Sequence, residues 1–205
     1  MARTKMSPER AESIRIGLLD VAQELFEAGG FEAMSIRAIA SRYGCSNMKA
    51  YSYFSSKADI IDALRIRAYR WLQKDLETAA DRVSDPLKAL KRITYGYLEA
   101  ARARPRMYEL LFTHYGEKSE THPDLINAKT DALGVCQKAL EAVCQLPDYH
   151  LKFEPNKSAH LFWIAAHGLV SLRSGGFLVA GYSADEILPA LFETTLNGIF
   201  ERRHS

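Results

Sequence analysis

Residues 35–54 read SIRAIASRYGCSNMKAYSYF and hold two short helical patterns separated by a turn at Gly44. Apolar residues recur at helical spacing in the first pattern, whereas the second, which begins at Ser46, is mostly polar. We predict that its inward residues are Ala50, Tyr51 and Phe54. Two short helices joined by a tight turn are typical of a helix-turn-helix, whose second helix lies in the DNA major groove. A polar surface helix of a helical bundle is the alternative.

The charge around this stretch favours a polyanionic partner. Residues 1–57 contain eight basic and six acidic residues, and all six acids precede Met34. The segment from Ser35 to Lys57 therefore carries only positive formal charge. Such a local basic patch suits a nucleic acid, although a solvated basic face would have the same composition.

The outward side chains of the second helix match the groups that read DNA. Lys49 can bind phosphate or guanine O6 and N7, Asn47 can read adenine, and Met48 can contact a thymine methyl group. Hydroxyl groups nearby suit phosphate oxygens, and Lys57 begins the next helix, whose N–H groups would add an anion site. The predicted DNA-binding set is Ser35, Arg37, Ser46, Asn47, Met48, Lys49, Tyr51, Tyr53 and Lys57.

The rest of the chain is helical in pattern, and no strand run appears. The first helix is predicted to begin at Ser7-Pro8 and to end at Gly29-Gly30, with Pro residues near most later boundaries. We predict an all-α fold of about nine helices, with later helices over residues 57–83, 86–103, 106–115, 124–145, 156–174 and 184–202.

Composition restricts the compartment and the chemistry. The chain has three cysteines, Cys45, Cys136 and Cys144, an odd number without metal-site spacing, which favours a reducing environment. No apolar run reaches the length of a membrane span, and the N-terminus lacks the apolar core of a signal peptide. His160 and His167 could share a helix face, but without a nearby carboxylate or cysteine they make a poor metal site. We expect a soluble cytoplasmic protein with no cofactor or metal and no membrane partner.

The segment GLLDVAQELFEAGGFEAMSIRAIASRYGCSNMKAYSYFSSKADI, residues 17–60, resembles the N-terminal signature of the TetR family of bacterial regulators. The matching residues are Ala22, Leu25, Phe26, Gly30, Phe31, Ser35, Ile39, Ala40, Gly44, Ser46, Tyr51, Phe54 and Lys57. The resemblance implies a three-helix DNA-binding domain, a homodimer on a palindromic operator, and repression relieved by a small molecule. It places DNA contacts on Asn47, Met48, Lys49, Tyr51 and Tyr53, with Lys57 on phosphate.

Four residues depart from the family pattern. Met48 stands where Gly is common, Lys49 where Thr is common, Ala50 where Leu is common, and Tyr53 where His is frequent. Because of these departures the resemblance does not predict the operator sequence, but it still implies that this helix binds in the major groove.

The family pattern divides the chain into a DNA-binding domain, 1–56, and a ligand-binding and dimerisation domain, 57–205. Within the second, residues 104–112 resemble a segment of many TetR proteins, and residues 162–176 resemble the Trp/His-Gly motif of one C-terminal subgroup. Aromatic residues and Met in this half indicate either plain core or a largely apolar pocket oriented by Tyr hydroxyls, His114 or His167. The predicted ligand-binding set is Trp71, Tyr97, Met107, Tyr108, Leu111, Phe112, Tyr115, Trp163 and His167.

The last two helical patterns carry apolar stripes that suit a four-helix interface with a symmetry mate. The predicted dimer set is Leu161, Ala165, Leu169, Leu172, Leu191, Leu196, Ile199 and Phe200. Burial within the monomer would demand the same residue types, so the dimer is favoured only by the family resemblance.

Two other function classes remain. An α-helical enzyme would use His114 or His167, but no catalytic triad spacing, phosphate-binding loop or metal motif supports it. A regulator controlled by a protein partner or by oxidation would have Cys45, in the turn before the second helix, as its sensitive residue. Packing beneath the turn, where the family often has Val, is the simpler role for Cys45. We expect a non-enzymatic regulator.

Overall fold

The structure, a computed structural model, describes residues 7–81, 83–113 and 122–202. Over these residues the chain forms nine helices and two three-residue strands, which confirms the all-α prediction. The elements are α1 (Pro8–Ala33), α2 (Ile36–Tyr43), α3 (Asn47–Tyr51), α4 (Lys57–Ala80), α5 (Pro86–Ala103), α6 (Pro105–Phe112), α7 (Pro123–Val143), β1 (Tyr149–Leu151), α8 (Pro155–Ser174), α9 (Ala184–Ile199) and β2 (Phe200–Arg202).

Serine hydroxyls begin the first three helices at the positions that the sequence indicates. Ser7, Ser35 and Ser46 each accept the backbone N–H three residues further on, at 3.3, 3.1 and 3.2 Å. Each bond satisfies one N–H that has no partner inside the helix. The starts of these helices are therefore encoded locally.

The first helix is interrupted where the sequence predicts its end. At Gly30 the backbone leaves helical geometry, with φ 68° and ψ −160°, and helical structure resumes as far as Ala33. The rings of Phe26 and Phe31, on either side of this break, lie 4.9 Å apart. Gly29-Gly30 therefore interrupts α1 at the predicted position, and a short second helical segment follows as far as Ala33.

The described residues form two compact units. The first contains residues 7–68 with 106–113 and 122–126, and the second contains residues 69–81, 83–105 and 127–202. In the first unit α1 packs on α2, and α2 packs on α3; in the second, α5, α8 and α9 pack together. Helix α4 contributes residues to both units. This division by packing differs from the predicted division by function at residue 57, which stays a prediction.

Helix α4 is tied to α1 within the first unit by polar contacts. Nη1 of Arg67 lies 2.7 Å from Oδ1 of Asp20 and 3.0 Å from Oε1 of Gln23. On the buried side of the same helix segment, Ile61 and Leu64 are fully enclosed. Apolar burial therefore holds the first half of α4 in this unit, with surface pairs adding little to its free energy of unfolding.

The two strands correct the expectation that no strand is present. β1 pairs antiparallel with β2, with Leu151 opposite Phe200, and the ring of Tyr149 meets Phe200 edge-on with centroids 5.6 Å apart. The predicted helix over 184–202 therefore ends at Ile199. A three-residue strand is too short to show an alternating pattern in the sequence.

Half of the predicted dimer set is unavailable to a second chain. Four of its members are buried in the second unit: Leu169, Leu196, Ile199 and Phe200. Ala165 and Leu191 are half-buried, while Leu161 and Leu172 are exposed. The four buried residues are thus core residues, because helices α8 and α9 pack on each other within one chain.

No helix within the described residues has the length and hydropathy that crossing a bilayer requires.

Candidate functional site

Helix α3 presents most of its surface to solvent. Asn47 and Lys49 are exposed, and the side chain of Met48 is 83% exposed. Tyr51 is 51% exposed, so the prediction that it faces inward is wrong. Helix α3 has only five residues, so few of them can face inward. Its buried residue is Ala50. The exposure of Tyr51 leaves its hydroxyl accessible to a partner.

The inner side of α3 is held by two apolar contacts. Ala50 is buried in the helix, and Phe54 is buried just after it. The guanidinium of Arg15, on α1, lies 5.2 Å from the centroid of the Phe54 ring. This geometry is a cation–π contact and covers the outer face of the ring. The turn and its helix are thereby fixed on α1.

A close approach of backbone to ring sets the packing of α1 on α2. A Cβ at Gly17 would lie only 2.6 Å from Cε2 of Tyr43, which stands at the end of α2. Only glycine allows this approach without a shift of the ring. Sequence reasoning missed this packing role of Gly17, whose one signal is a glycine inside a strongly helical pattern.

The positive side chains around α3 differ in how they are paired. Arg42 lies 3.0 Å from Glu24, and both side chains are exposed. Within the described residues, Arg37 and Lys49 are exposed and form no ion pair. The positive charge that this surface offers to a polyanion is therefore concentrated on these two residues.

Lys57 is half-buried and engaged with the first helix. Its Nζ donates a hydrogen bond of 2.5 Å to the backbone carbonyl of Phe31. An ammonium has three donors, so this contact holds the side chain in place and leaves further donors. The structure thus gives Lys57 a packing role beside the predicted phosphate contact.

The start of α4 already holds a negative charge. The carboxylate of Asp59 accepts hydrogen bonds from the Ser55 N–H and the Ser56 hydroxyl, each at 2.9 Å. The Ser55 hydroxyl also donates to it, and this bond, with those from Ser56 and the backbone, lowers the pKa of Asp59. This carboxylate interacts favourably with the helix N-terminus. Any phosphate contact of Lys57 must therefore come from its ammonium group and not from the end of the helix.

The second unit contains a cavity with an empty volume of about 430 Å³, counted with the part that opens to solvent. It is bounded by the second half of α4 and by α5, α7 and α8. Its lining residues are Leu72, Leu76, Ile93, Thr94, Tyr97, Ala132, Leu133, Cys136, Phe162, Trp163 and Ala166. The enclosed space, measured by the centres of water-sized spheres, is about 40 Å³. A concave, mostly apolar wall with a few polar groups is typical of a small-molecule site.

The few polar groups in the cavity wall bond to the protein itself. The Nε1–H of Trp163 donates to the hydroxyl oxygen of Tyr97 at 2.8 Å. The hydroxyl of Thr94 donates to the carbonyl of Leu90 at 3.0 Å. Burial raises the pKa of the Cys136 thiol to about 12, so the thiol is protonated near neutral pH.

The predicted ligand-binding residues do not all meet at this cavity. Tyr97 and Trp163 line it, whereas Trp71 packs under the guanidinium of Arg104, 5.0 Å from its ring centroid. His167 is half-buried, and burial lowers its pKa; its Nε2 lies 3.2 Å from the Ser171 hydroxyl oxygen. Four members, Met107, Tyr108, Leu111 and Phe112, belong to the first unit. Tyr115 and the alternative His114 lie outside the described residues.

Sequence reasoning missed most of the cavity wall, including Cys136. These residues follow ordinary helical core spacing, so the pattern gives no sign that space is left between them. For metals, the described residues place no group of three or more His, Cys, Asp or Glu where an ion would bind. Cys45 is half-buried in the turn before α3.

Comparison with protein families gives two matches along the chain. Residues 18–64 match the family described as bacterial regulatory proteins, tetR family. Residues 90–196 match the family described as tetracyclin repressor-like, C-terminal domain. Comparison with curated protein sequences finds no match.

Solved structures share the fold at low sequence identity. A Rhodococcus protein of unknown function has a TM-score of 0.78 and 21% identity, covering 91% of this chain and 94% of that one. The TetR family transcriptional regulator PfmR from Thermus thermophilus has a TM-score of 0.60 and 19% identity, with coverages of 87% and 96%. FadR from Bacillus subtilis, solved with stearoyl-CoA, has a TM-score of 0.70 and 13% identity, with coverages of 90% and 98%.

Proposed function

The chain belongs to the TetR family of bacterial regulatory proteins, and on this premise we propose that it is a ligand-responsive repressor acting as a homodimer on a palindromic operator. Proteins of this family bind DNA and carry a ligand-binding C-terminal domain. A small, largely apolar ligand entering the cavity releases the operator. The protein acts in the cytoplasm, where its DNA target lies.

The single observation that carries the DNA-binding proposal is the exposed polar surface of α3. Its side chains at 47–49 stand in solvent, while Ala50 and Phe54 are buried and anchor it. Such a helix gains little from burial within its own domain, so its composition is explained by a partner outside the chain. In the major groove, Lys49 reads guanine or phosphate and Asn47 reads adenine.

The remaining predicted contacts serve the DNA backbone. The exposed Arg37, the hydroxyl of Tyr51 and the ammonium of Lys57 bind phosphate oxygens, and the hydroxyl-bearing side chains near them add to these contacts. Phosphate contacts fix the register on the duplex, and the outward residues of α3 supply the sequence preference.

The dimer forms on the exposed apolar stripe of α8. Leu161 and Leu172 from the predicted set are exposed there, and Ile164, which the sequence reading missed, is 67% exposed. A two-fold interface uses the same stripe on both protomers. The two α3 helices then enter successive major grooves, whose centres are about 34–36 Å apart.

The ligand acts by favouring one of two arrangements of the dimer. Helix α4 is the element that relays this preference, because Leu72 and Leu76 line the cavity while Ile60 and Leu64 are core residues of the DNA-binding unit. The stearoyl-CoA complex of a structural neighbour supports a ligand-binding role for this fold. Control by a protein partner or by Cys45 oxidation is the alternative, and membership of the Trp/His-Gly subgroup stays a prediction.

The test begins with selection of bound fragments from the host genome or a random DNA library. We expect one recovered motif with two-fold symmetry, and affinity that falls steeply with salt as counterions are released. A salt-independent affinity would contradict the DNA-binding proposal.

Matched lysine variants then locate the contact surface. Lys49→Ala should weaken operator binding by about 1–3 kcal/mol and change the preferred bases or reduce the salt slope by about 1. Lys138→Ala removes another exposed lysine, from α7, and should change neither. Equal effects of the two substitutions would show that α3 is not the reading helix.

A further inference from the structure

We propose that the cavity bounded by α4, α5, α7 and α8 is specific for an uncharged ligand. This inference rests on the proposed ligand-responsive function and narrows its ligand class. The proposal concerns the part of the ligand that enters the cavity, because each group there loses its contacts with water and contacts the cavity wall instead.

Among the described residues, those that line the cavity carry no acidic or basic side chain. The eleven lining residues include no Asp, Glu, Lys, Arg or His. A carboxylate or ammonium that enters must lose its hydration without meeting a counter-ion, and this cost greatly exceeds that for a neutral polar group. Apolar ligand surface, in contrast, gains free energy when it leaves water for residues such as Leu72 and Phe162.

The polar atoms of the wall do not change this balance. The Trp163 N–H is bonded to the Tyr97 oxygen, and the Thr94 hydroxyl is bonded to the Leu90 carbonyl. These are neutral groups engaged with the protein. The Cys136 thiol is also neutral, because its pKa is far above 7. The described part of the wall therefore offers dipoles but no formal charge.

Charged residues next to the lining positions in sequence are turned to other surroundings. Asp75 lies between Leu72 and Leu76 in α4, yet its carboxylate is paired with Arg104 at 2.5 Å. Arg92, before Ile93, and Asp131, before Ala132, are exposed. The helices thus present their apolar faces to the cavity and their charges elsewhere.

The aromatic residues raise the alternative of a cationic ligand. Tyr97, Phe162 and Trp163 all line the space, and aromatic faces attract ammonium groups. Cation–π attraction is smaller than the cost of dehydrating an ammonium where no carboxylate stands nearby. A neutral ligand that stacks on these rings is therefore favoured over a cation.

The experiment compares compact probes that differ only in charge. The first series is cyclohexylmethanol, cyclohexanecarboxylate and cyclohexylmethylammonium; the second is 1-hexanol, hexanoate and hexylammonium. Trp71→Phe leaves Trp163 as the single tryptophan of the chain, which contains two, so fluorescence titration reports on the cavity itself. We expect at least one alcohol to bind with a Kd lower than those of its matched ions by a factor of about 100 or more. Equal or tighter binding of an ion, or no binding by either alcohol, overturns the proposal.

Two substitutions check the location and the cause. Ala132→Leu combined with Ala166→Leu fills the cavity and should abolish the alcohol-induced fluorescence change, with circular dichroism used to confirm folding. Leu133→Arg introduces a cation at a half-buried lining position and should bring carboxylate binding to within tenfold of alcohol binding. If these variants do not fold, the comparison of alcohols with their matched ions on the Trp71→Phe protein still tests the proposal.

Operator binding by the ligand-free protein is measured in parallel. Failure to bind DNA contradicts the proposed function, whereas a preference for an ionic probe contradicts only the ligand class. An alcohol that binds without weakening the DNA complex supports the uncharged cavity and contradicts release of DNA by its ligand.

Discussion

The ring of Tyr43 lies against the backbone of Gly17, so close that a Cβ there would stand 2.6 Å from Cε2. Gly17→Ala must therefore push α2 away from α1 or force the ring from its position. Overpacking of this kind costs about 1–3 kcal/mol of unfolding free energy. Because α2 leads into α3, operator affinity should fall as well. Urea denaturation and DNA titration measure the two effects.

Gly134→Ala is the matched control for that substitution. Gly134 also lies inside a helix, but a Cβ there would meet no atom within 4 Å. Alanine should stabilise the protein by about 0.5–1 kcal/mol, because it lowers the entropy of the unfolded chain. If both substitutions stabilise the protein, the Tyr43 contact does not determine the packing of α1 on α2.

Two leucines of α8 separate the dimer surface from the core. Leu172 is 46% exposed, and Leu172→Glu should raise the dimer Kd at least tenfold, or about 1.4 kcal/mol, as measured by sedimentation. Leu169 is 4% exposed, and Leu169→Ala should cost about 2–5 kcal/mol of unfolding free energy in whatever oligomer forms. A wild-type monomer, or a Leu172→Glu dimer of unchanged Kd, would count against α8 as the interface.

The Asp59 carboxylate should make stability depend on pH at the start of α4. Hydrogen bonds, that of the Ser55 hydroxyl first, hold its pKa below the ordinary value of 3.8. Its stabilising contribution is therefore complete above pH 3.8 and is lost as pH falls through the lower pKa of the folded state. Asp59→Asn should be destabilising at pH 7, and its difference from wild type should shrink as pH falls below 3.8.

Ser55→Ala tests the cause of that pH dependence. Removing the principal donor should move the Asp59 pKa back toward its ordinary value, so the acid-dependent loss of stability should be smaller and should be complete at a higher pH. Thermal unfolding measured at several pH values compares the single and double variants. Fully additive effects of the two substitutions would show that the pair does not act as a unit.

Cys136 is half-buried, and its thiol should resist alkylation in the folded protein. Its pKa rises from 9.0 to about 12, so the thiolate fraction falls by about a thousandfold. Brief treatment with iodoacetamide at pH 7.5, followed by peptide mass spectrometry, should find Cys136 unmodified in buffer and modified in urea. Equal rates in the two conditions would contradict the protonated state of this thiol.

The helices were predictable where local chemistry determines them. Ser35 and Ser46 cap the helices that follow them, and Gly44 ends α2 in a left-handed conformation, as the local sequence indicates. These features need only residues within one turn of each other. The prediction that Tyr51 faces inward was wrong because α3 ends at that residue, whereas the helical periodicity had been extended beyond it.

The cavity and the strand pair depend on contacts that no local pattern contains. Leu72 and Phe162 are 90 residues apart in sequence, and only the tertiary packing leaves a space between them. The opposition of Leu151 and Phe200 also joins residues far apart in the chain. Apolar spacing predicts that a residue is inward, but not whether another side chain fills the volume beside it. For the same reason, apolar spacing placed both Leu169 and Leu172 at the dimer interface, although Leu169 is buried and Leu172 is exposed.

The sparse anchoring of α3 also bears on how such a regulator diverges. Ala50 and Phe54 fix the helix, while Asn47, Met48 and Lys49 make few contacts with the rest of the chain. Substitutions at exposed positions usually change unfolding free energy by no more than about 0.5 kcal/mol. Mutations at positions 47–49 can therefore accumulate after gene duplication without loss of the folded protein. Selection on those three positions then acts on target choice alone, which lets one scaffold acquire new promoters.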